Sequence, residues 1–119
     1  MPIVFVISKD WTLRVTVRAE LLHARIEALG MESVEDAGRA LAQGNTPSAI
    51  VLDAAAEEYA PPSAKAALEH LAKRVPVVVV ASRIKPAPPL EGAAVLLYRP
   101  VRVGDIVARV KELLAGQAA

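Results

Sequence analysis

The residues of this chain whose types could do chemistry stand at the ends of apolar runs. Ser8, Lys9 and Asp10 follow the first run, Asp53 ends another, Ser82 follows Val77-Val78-Val79-Val80-Ala81, and Arg99-Pro100 closes the last. Asp53 is the centre of the pattern. Ala49-Ile50-Val51-Leu52 leads into its carboxylate, and three alanines follow. A short apolar run of this kind reads as a strand buried on both faces, as in a parallel sheet. Its polar end then marks the carboxyl edge, where open α/β sheets gather their ligands. The plainer reading of Asp53 is a helix N-cap or a loop carboxylate, since Asp is common in both.

Other chemistries find little support. Cys is absent, which excludes disulfides, thiolate metal sites and Cys nucleophiles. His23 and His70 lie on predicted helices with no His, Cys or carboxylate at ligand spacing, and read as surface or half-buried residues. The Ser8–Lys9 segment has no Gly-rich phosphate loop, and no Ser/His/Asp set can be assembled at one edge. Glu57 and Glu58 read as a solvated loop. Trp11, the single Trp, reads as a cover residue at the start of the first helix.

The elements that must position these groups follow from periodicity. Pro2 to Ile7 is a continuous β-branched and aromatic run, hence a buried strand. Thr12 to Leu29 reads as a helix with Val15, Leu22, Ile26 and Leu29 on one arc, stopped by Gly30 as a C′ residue. Met31 to Val34 reads as a short strand and Glu35 to Gln43 as a short helix. After the strand ending at Asp53 comes a loop. Pro62 then opens a helix that runs through Arg74, with Ala64, Leu68 and Leu71 on its apolar side. Val77 to Ala81 is the clearest strand. The proline-dense stretch 82–89 cannot sustain an α-helix. Ala94 to Tyr98 is a final strand. Val103 to Leu114 is the last helix, with a fraying tail from Gly116.

Strand and helix alternate, and the strands are of the parallel type. Right-handed crossovers place helices on both faces of one sheet. The expected architecture is an α/β, doubly wound, five-stranded parallel sheet of flavodoxin-like order. At 119 residues and 54% hydrophobic, the chain reads as one globular domain over 1–119. With 14 basic and 13 acidic residues its net charge is +1, scattered along the chain, so neither nucleic acid nor a membrane surface is an expected partner. No segment has the length of a signal peptide or membrane span, and a cytoplasmic protein is expected.

With Asp53, Ser82 and Pro100 at successive strand ends, the chain resembles, over nearly its whole length, the receiver domain of two-component response regulators. In that family an acidic pair after the first strand binds Mg²⁺, and an Asp ending the third strand accepts a phosphoryl group. A Ser or Thr ends the fourth strand, and Lys-Pro follows the fifth. Mg²⁺ supplies the cation that phosphoryl transfer to a carboxylate needs. The resemblance makes Asp53 the acceptor and Ser82 the switch hydroxyl. It makes Pro100 the family's proline, with Arg99-Pro100 a candidate cis peptide.

The chain also departs from the pattern. The acidic pair falls on Ser8 and Lys9, and only Asp10, one position late, is acidic. Arg99 replaces the Lys, and Leu96 stands at the aromatic switch position. The family's fourth helix is shortened or replaced by the proline-rich stretch. Lys9 sets positive charge where Mg²⁺ would sit, and the planar fork of Arg99 suits a carboxylate clamp. The expected arrangement is a metal-free cluster of Lys9, Asp53 and Arg99, a degenerate receiver.

The expected function is thus a receiver-like protein–protein interaction module in signalling, without conventional Mg²⁺-dependent phosphorylation, without a cofactor and not an enzyme. Its partner would be a protein of a signalling pathway, and it would be a monomer or homodimer. The docking face would comprise Ile84, Leu90, Tyr98, Val101 and Arg102. One alternative is a receiver phosphorylated on Asp53 within a phosphorelay, with Asp10 and Asp53 holding Mg²⁺ and at most catalysing its own phosphorylation and dephosphorylation. A second is a small-anion or metabolite-binding domain using Arg99 and Lys9.

Overall fold

The computed structural model of the chain describes residues 2–58, 60–82 and 95–117. The elements run β1 (Ile3–Ile7), α1 (Trp11–His23), β2 (Glu27–Met31), α2 (Val34–Ala42), β3 (Ala49–Asp53), α3 (Ala54–Glu58), α4 (Pro62–Ala72), β4 (Val77–Ala81), β5 (Val95–Tyr98) and α5 (Val103–Gln117). The strands form one sheet in the order β2-β1-β3-β4-β5. Every neighbouring pair is parallel. This is the flavodoxin-like order expected from the sequence.

The central strands explain why the sheet is buried on both sides. Along β1, Phe5 and Ile7 face one cluster while Val4 and Val6 face the other. In β3, Ile50 and Leu52 alternate in the same way with Ala49 and Val51. The first cluster packs under α2 and α4 through Val34, Ala37, Leu68 and Leu71. The second packs under α1 and α5 through Leu13, Val17, Leu21, Ile106, Val107 and Val110. Period-2 alternation of apolar side chains thus feeds two cores, which is why these strands read as unbroken apolar runs.

Several boundaries differ from expectation. Helix α1 ends at His23, six residues before the expected Leu29. Ile26 N donates to Leu21 O at 2.9 Å across the helix end, and Arg25 adopts φ 64°, the left-handed conformation usually given to glycine. Gly30 is no stop at all. It lies within β2, whose Ala28 and Met31 are buried. The expected strand Met31 to Val34 is therefore displaced, and Ser33 instead caps α2 by accepting from Asp36 N at 3.1 Å. The inward arc of α1 is Leu13, Val17 and Leu21, whereas Val15 and Leu22 are exposed.

The loop expected after Asp53 begins instead as α3. Its alanines have the highest helix propensity, and Ala54 and Ala56 are buried. Helix α4 starts with Pro62 in its first turn, as expected. Helix α5 continues through Gly116 to Gln117, whose Nε2 donates to Ser48 O at 2.9 Å, so the tail is not frayed at Gly116. The proline-rich stretch, with Ile84 and Leu90, lies outside the described residues, and so does any replacement of a helix there. Among the described residues, no helix is long and apolar enough to cross a membrane.

Candidate functional site

Parallel strands bring Ile7, Asp53, Ala81 and Tyr98 to the same edge of the sheet. The polar residues that end or follow β1, β3 and β5 meet there. Asp53 is buried, at 5% exposure, as the last residue of β3. One of its oxygens, Oδ2, accepts from Ser8 Oγ at 2.8 Å and from Arg99 Nη2 at 2.7 Å. The other, Oδ1, accepts from Ala55 N at 3.2 Å, which also fixes the first turn of α3. The plain N-cap-like role and the ion-pair role expected for Asp53 are thus carried by different oxygens of one carboxylate.

The turn after β1 is held as firmly. Ser8 is buried at 1% exposure, and its Oγ also accepts from Asp10 N at 3.1 Å. Asp10 caps α1, with Oδ1 accepting from Leu13 N at 3.3 Å. Its Oδ2 lies 3.9 Å from Arg99 Nη1, so the guanidinium spans both carboxylates. Ser8 O accepts from Arg14 Nη1 at 2.7 Å, and Arg14 pairs with Glu32 at 3.7 Å. Arg14 is a supporting residue that sequence reasoning missed. A position six residues past Ser8 on a helix carries no signal of its own.

Arg99 follows β5 and is tied to the edge by its backbone, its N donating to Ala81 O at 2.8 Å. The Arg99-Pro100 peptide is cis, as the resemblance implied. Arg99 carries the larger share of solvent contact in its pair, 39% exposed against 7% for the Asp53 side chain. Lys9 and Asp10 are exposed, and Ser82 is half-buried just past β4. Among the described residues, no group of three or more His, Cys, Asp or Glu could hold a metal ion, and no buried side-chain polar atom lacks a partner. The result is a closed network linking β1, α1, β3 and β5 through charge-assisted hydrogen bonds.

The remaining predicted residues lie beside this edge. Leu96 and Tyr98, on β5, are 41% and 40% exposed. Val101 is half-buried against the α1/α5 core. Arg102 is exposed, and its carbonyl starts α5 by accepting from Asp105 N at 3.0 Å. Ile84 and Leu90 lie outside the described residues. His23 and His70 are both exposed.

No family model matches the chain, and no curated protein matches it. Solved structures do. A response regulator receiver protein from Burkholderia phymatum superposes with TM-score 0.73 at 21% identity, covering 97% of this chain and 96% of that one. A putative response regulator from Chloroflexus aurantiacus gives TM-score 0.76 at 21% identity, covering 97% and 99%. The N-terminal domain of a three-domain response regulator/sensory box/GGDEF protein from Carboxydothermus hydrogenoformans gives 0.78 at 15% identity, covering 98% and 96%. This chain has the fold of response-regulator receiver domains.

Proposed function

We propose that the chain is a receiver-like signal-transduction module that works by protein–protein interaction, without conventional Mg²⁺-dependent phosphorylation of Asp53, and is not an enzyme. The observation that carries this reading is Arg99 Nη2 at 2.7 Å from Asp53 Oδ2. That oxygen already accepts from Ser8, and the other accepts from Ala55. The carboxylate that would attack a phosphoryl donor therefore has both oxygens engaged, one of them by a fixed cation.

The residues present fit Mg²⁺ poorly. Mg²⁺ demands near-octahedral oxygen ligation. Among the described residues, the side-chain oxygens that end β1 and β3 are those of Asp53, Ser8 and Asp10, and Asp10 Oδ1 is taken as a helix cap. A guanidinium stands between the two carboxylates, at 2.7 and 3.9 Å. Its positive charge opposes a second cation at that spot. In this reading Arg99 substitutes permanently for the charge that metal and phosphoryl chemistry would otherwise bring, and the module presents one fixed surface.

Incubation with acetyl phosphate and Mg²⁺, followed by intact-mass measurement, tests it. The expected result is no phosphoryl adduct on the chain at any time point. A stoichiometric adduct that disappears in Asp53→Asn would replace this reading with that of a phosphorylated receiver.

A further inference from the structure

Strand β2 is an outermost strand of the sheet. Among the described residues it pairs with β1 on one side and with no strand on the other. Glu27 N donates to Pro2 O at 3.1 Å and Met31 O accepts from Ser8 N at 3.0 Å, so Glu27 and Met31 turn their backbone groups toward β1. Along a parallel ladder, alternate residues bond the same neighbour. Leu29 therefore faces β1 too, and Ala28 and Gly30 turn N–H and C=O out of the sheet. Such a row is a template for another strand, which native edges usually blunt with Pro, Lys or a bulge. Glu27-Ala28-Leu29-Gly30-Met31 has neither Pro nor Lys, pairs with β1 in unbroken register, and carries its one charge at the first position. An open groove of about 610 Å³ runs beside this edge, lined by Leu29, Gly30 and Met31 together with Arg14, Asp36 and Arg39.

Gly30 is a second, independent observation. Nothing inside the chain calls for a glycine there. Its φ lies outside the left-handed region, unlike that of Gly44 at 93°. A Cβ at position 30 would meet the Arg14 side chain at 3.7 Å, an ordinary contact. Glycine weakens a strand, and within one it often marks the close approach of another backbone. Gly30 is exposed on the free edge.

The charges beside the edge indicate what fits it. Arg14 pairs with Glu32 at 3.7 Å, and Arg39 pairs with Asp36. Cations and acids balance, so the edge has no net sign that would select a basic or an acidic segment. It is self-complementary instead. A second copy turned antiparallel about a two-fold axis at Gly30 keeps α1 of both copies on the same face of the sheet. The Arg14–Glu32 pair of each copy then lies head to tail against that of the other, which Coulomb attraction favours. Side chains at position 30 would crowd the two Arg14 groups at the axis, and glycine leaves room for them.

We propose that two copies of this chain join through β2, antiparallel about a two-fold axis at Gly30, into one sheet continuous across both copies. This goes beyond the reading of the Asp53 site and does not depend on it. The interface lies at the opposite edge of the sheet from β5.

Sedimentation velocity of the full chain tests it. One copy has a mass of 12.6 kDa, and the expected result is a concentration-dependent shift to twice that mass with no further growth. The chain has no Cys, so Gly30→Cys gives an unambiguous reporter. Facing residues of a hydrogen-bonded antiparallel pair have Cα atoms about 5.5 Å apart, a span that a disulfide bridges. Mild oxidation should therefore link two copies of Gly30→Cys, and should not link His70→Cys, whose site is exposed on α4. Gly30→Pro removes the outward N–H and leaves the donors to β1 in place, and should weaken the dimer at least about tenfold. Gly30→Lys keeps the N–H but brings like charges together at the axis, and should weaken it as well. Circular dichroism confirms that each variant is folded, and Gly30→Lys decides the matter if Gly30→Pro does not fold.

A monomer at every concentration up to the millimolar range overturns the proposal. So does a dimer that the folded Gly30 variants leave unchanged, since another surface would then hold it. Growth beyond a dimer, or a disulfide in His70→Cys and none in Gly30→Cys, overturns it too.

Discussion

At the scale of single residues, the decisive feature is an aspartate whose oxygens are all spoken for. Arg99→Ala takes the guanidinium from the buried Asp53 carboxylate, which still accepts from Ser8 Oγ and Ala55 N. Breaking a buried pair from the cationic side is costly, but Arg99 is 39% exposed and solvent screens part of the loss. Arg99→Ala should therefore destabilise the chain by roughly 2 kcal/mol in urea unfolding. Asp53→Asn in that background should recover part of the loss, because the neutral side chain leaves no buried charge, its Oδ1 can still accept from Ala55 N, and its Nδ2 can donate to Ser8 Oγ. The double-mutant cycle should give a coupling of about 1–2 kcal/mol. A coupling near zero would mean that the 2.7 Å contact contributes nothing. The pair itself was legible, since a guanidinium at one strand end and a carboxylate at another suit each other. Ser8 as a direct donor to Asp53 was not, because a hydroxyl next to Lys9 has no spacing signature. Lys9, next to Ser8 in the turn, is exposed.

At the scale of elements, β1 and the strand cores of β3 and β4 were readable because continuous apolar runs leave little choice of period. The α1–β2 connection was not, for a definite reason. The signal for a helix stop is glycine, and here the left-handed position is filled by Arg25 at φ 64°. The glycine that was visible, Gly30, sits in a strand with Arg14 as its nearest side-chain neighbour. A non-glycine residue in this conformation pays a steric cost of about 1 kcal/mol. Arg25→Gly should thus raise stability by about 0.5 kcal/mol, the unfolded chain's extra freedom offsetting part of the relief. Arg25→Val should lower it by more than 1 kcal/mol, since a β-branched residue tolerates positive φ least. Urea midpoints of the three proteins give the order directly. An unchanged midpoint in Arg25→Gly would show that the turn relaxes without strain. The same misplaced boundary shifted the apparent apolar arc of α1, which is why the exposure of Trp11, Val15 and Leu22 could be seen only in the structure.

At the scale of the whole molecule, one five-stranded sheet separates two apolar layers that share strand backbones but few side chains. Parallel pairing followed from alternating strand and helix patterns together with right-handed crossovers, whereas the strand order followed from chain length and analogy with flavodoxin-like sheets and not from the pattern. What pattern alone could not supply was which helices cover which face. Leu68 belongs to the layer under α2 and α4, and Ile106 to the layer under α1 and α5. Both are almost fully buried, at 3% and 0% exposure. Leu68→Ala should cost about 2–5 kcal/mol and Ile106→Val about 0.5–1.5 kcal/mol, from lost burial and incomplete collapse of the space left. With the sheet between them the two sites share no side-chain partner, so the double variant should equal the sum within about 0.5 kcal/mol. The unfolding transition should remain single, because both layers grip the same strands and neither can lose its packing while the sheet persists. Circular dichroism and Trp11 fluorescence followed through one urea titration provide the check. Non-coincident curves would show that the α1 side, which carries Trp11, melts separately from the rest. In that case one layer could open while the other stayed packed, and the two layers would be separate cooperative units.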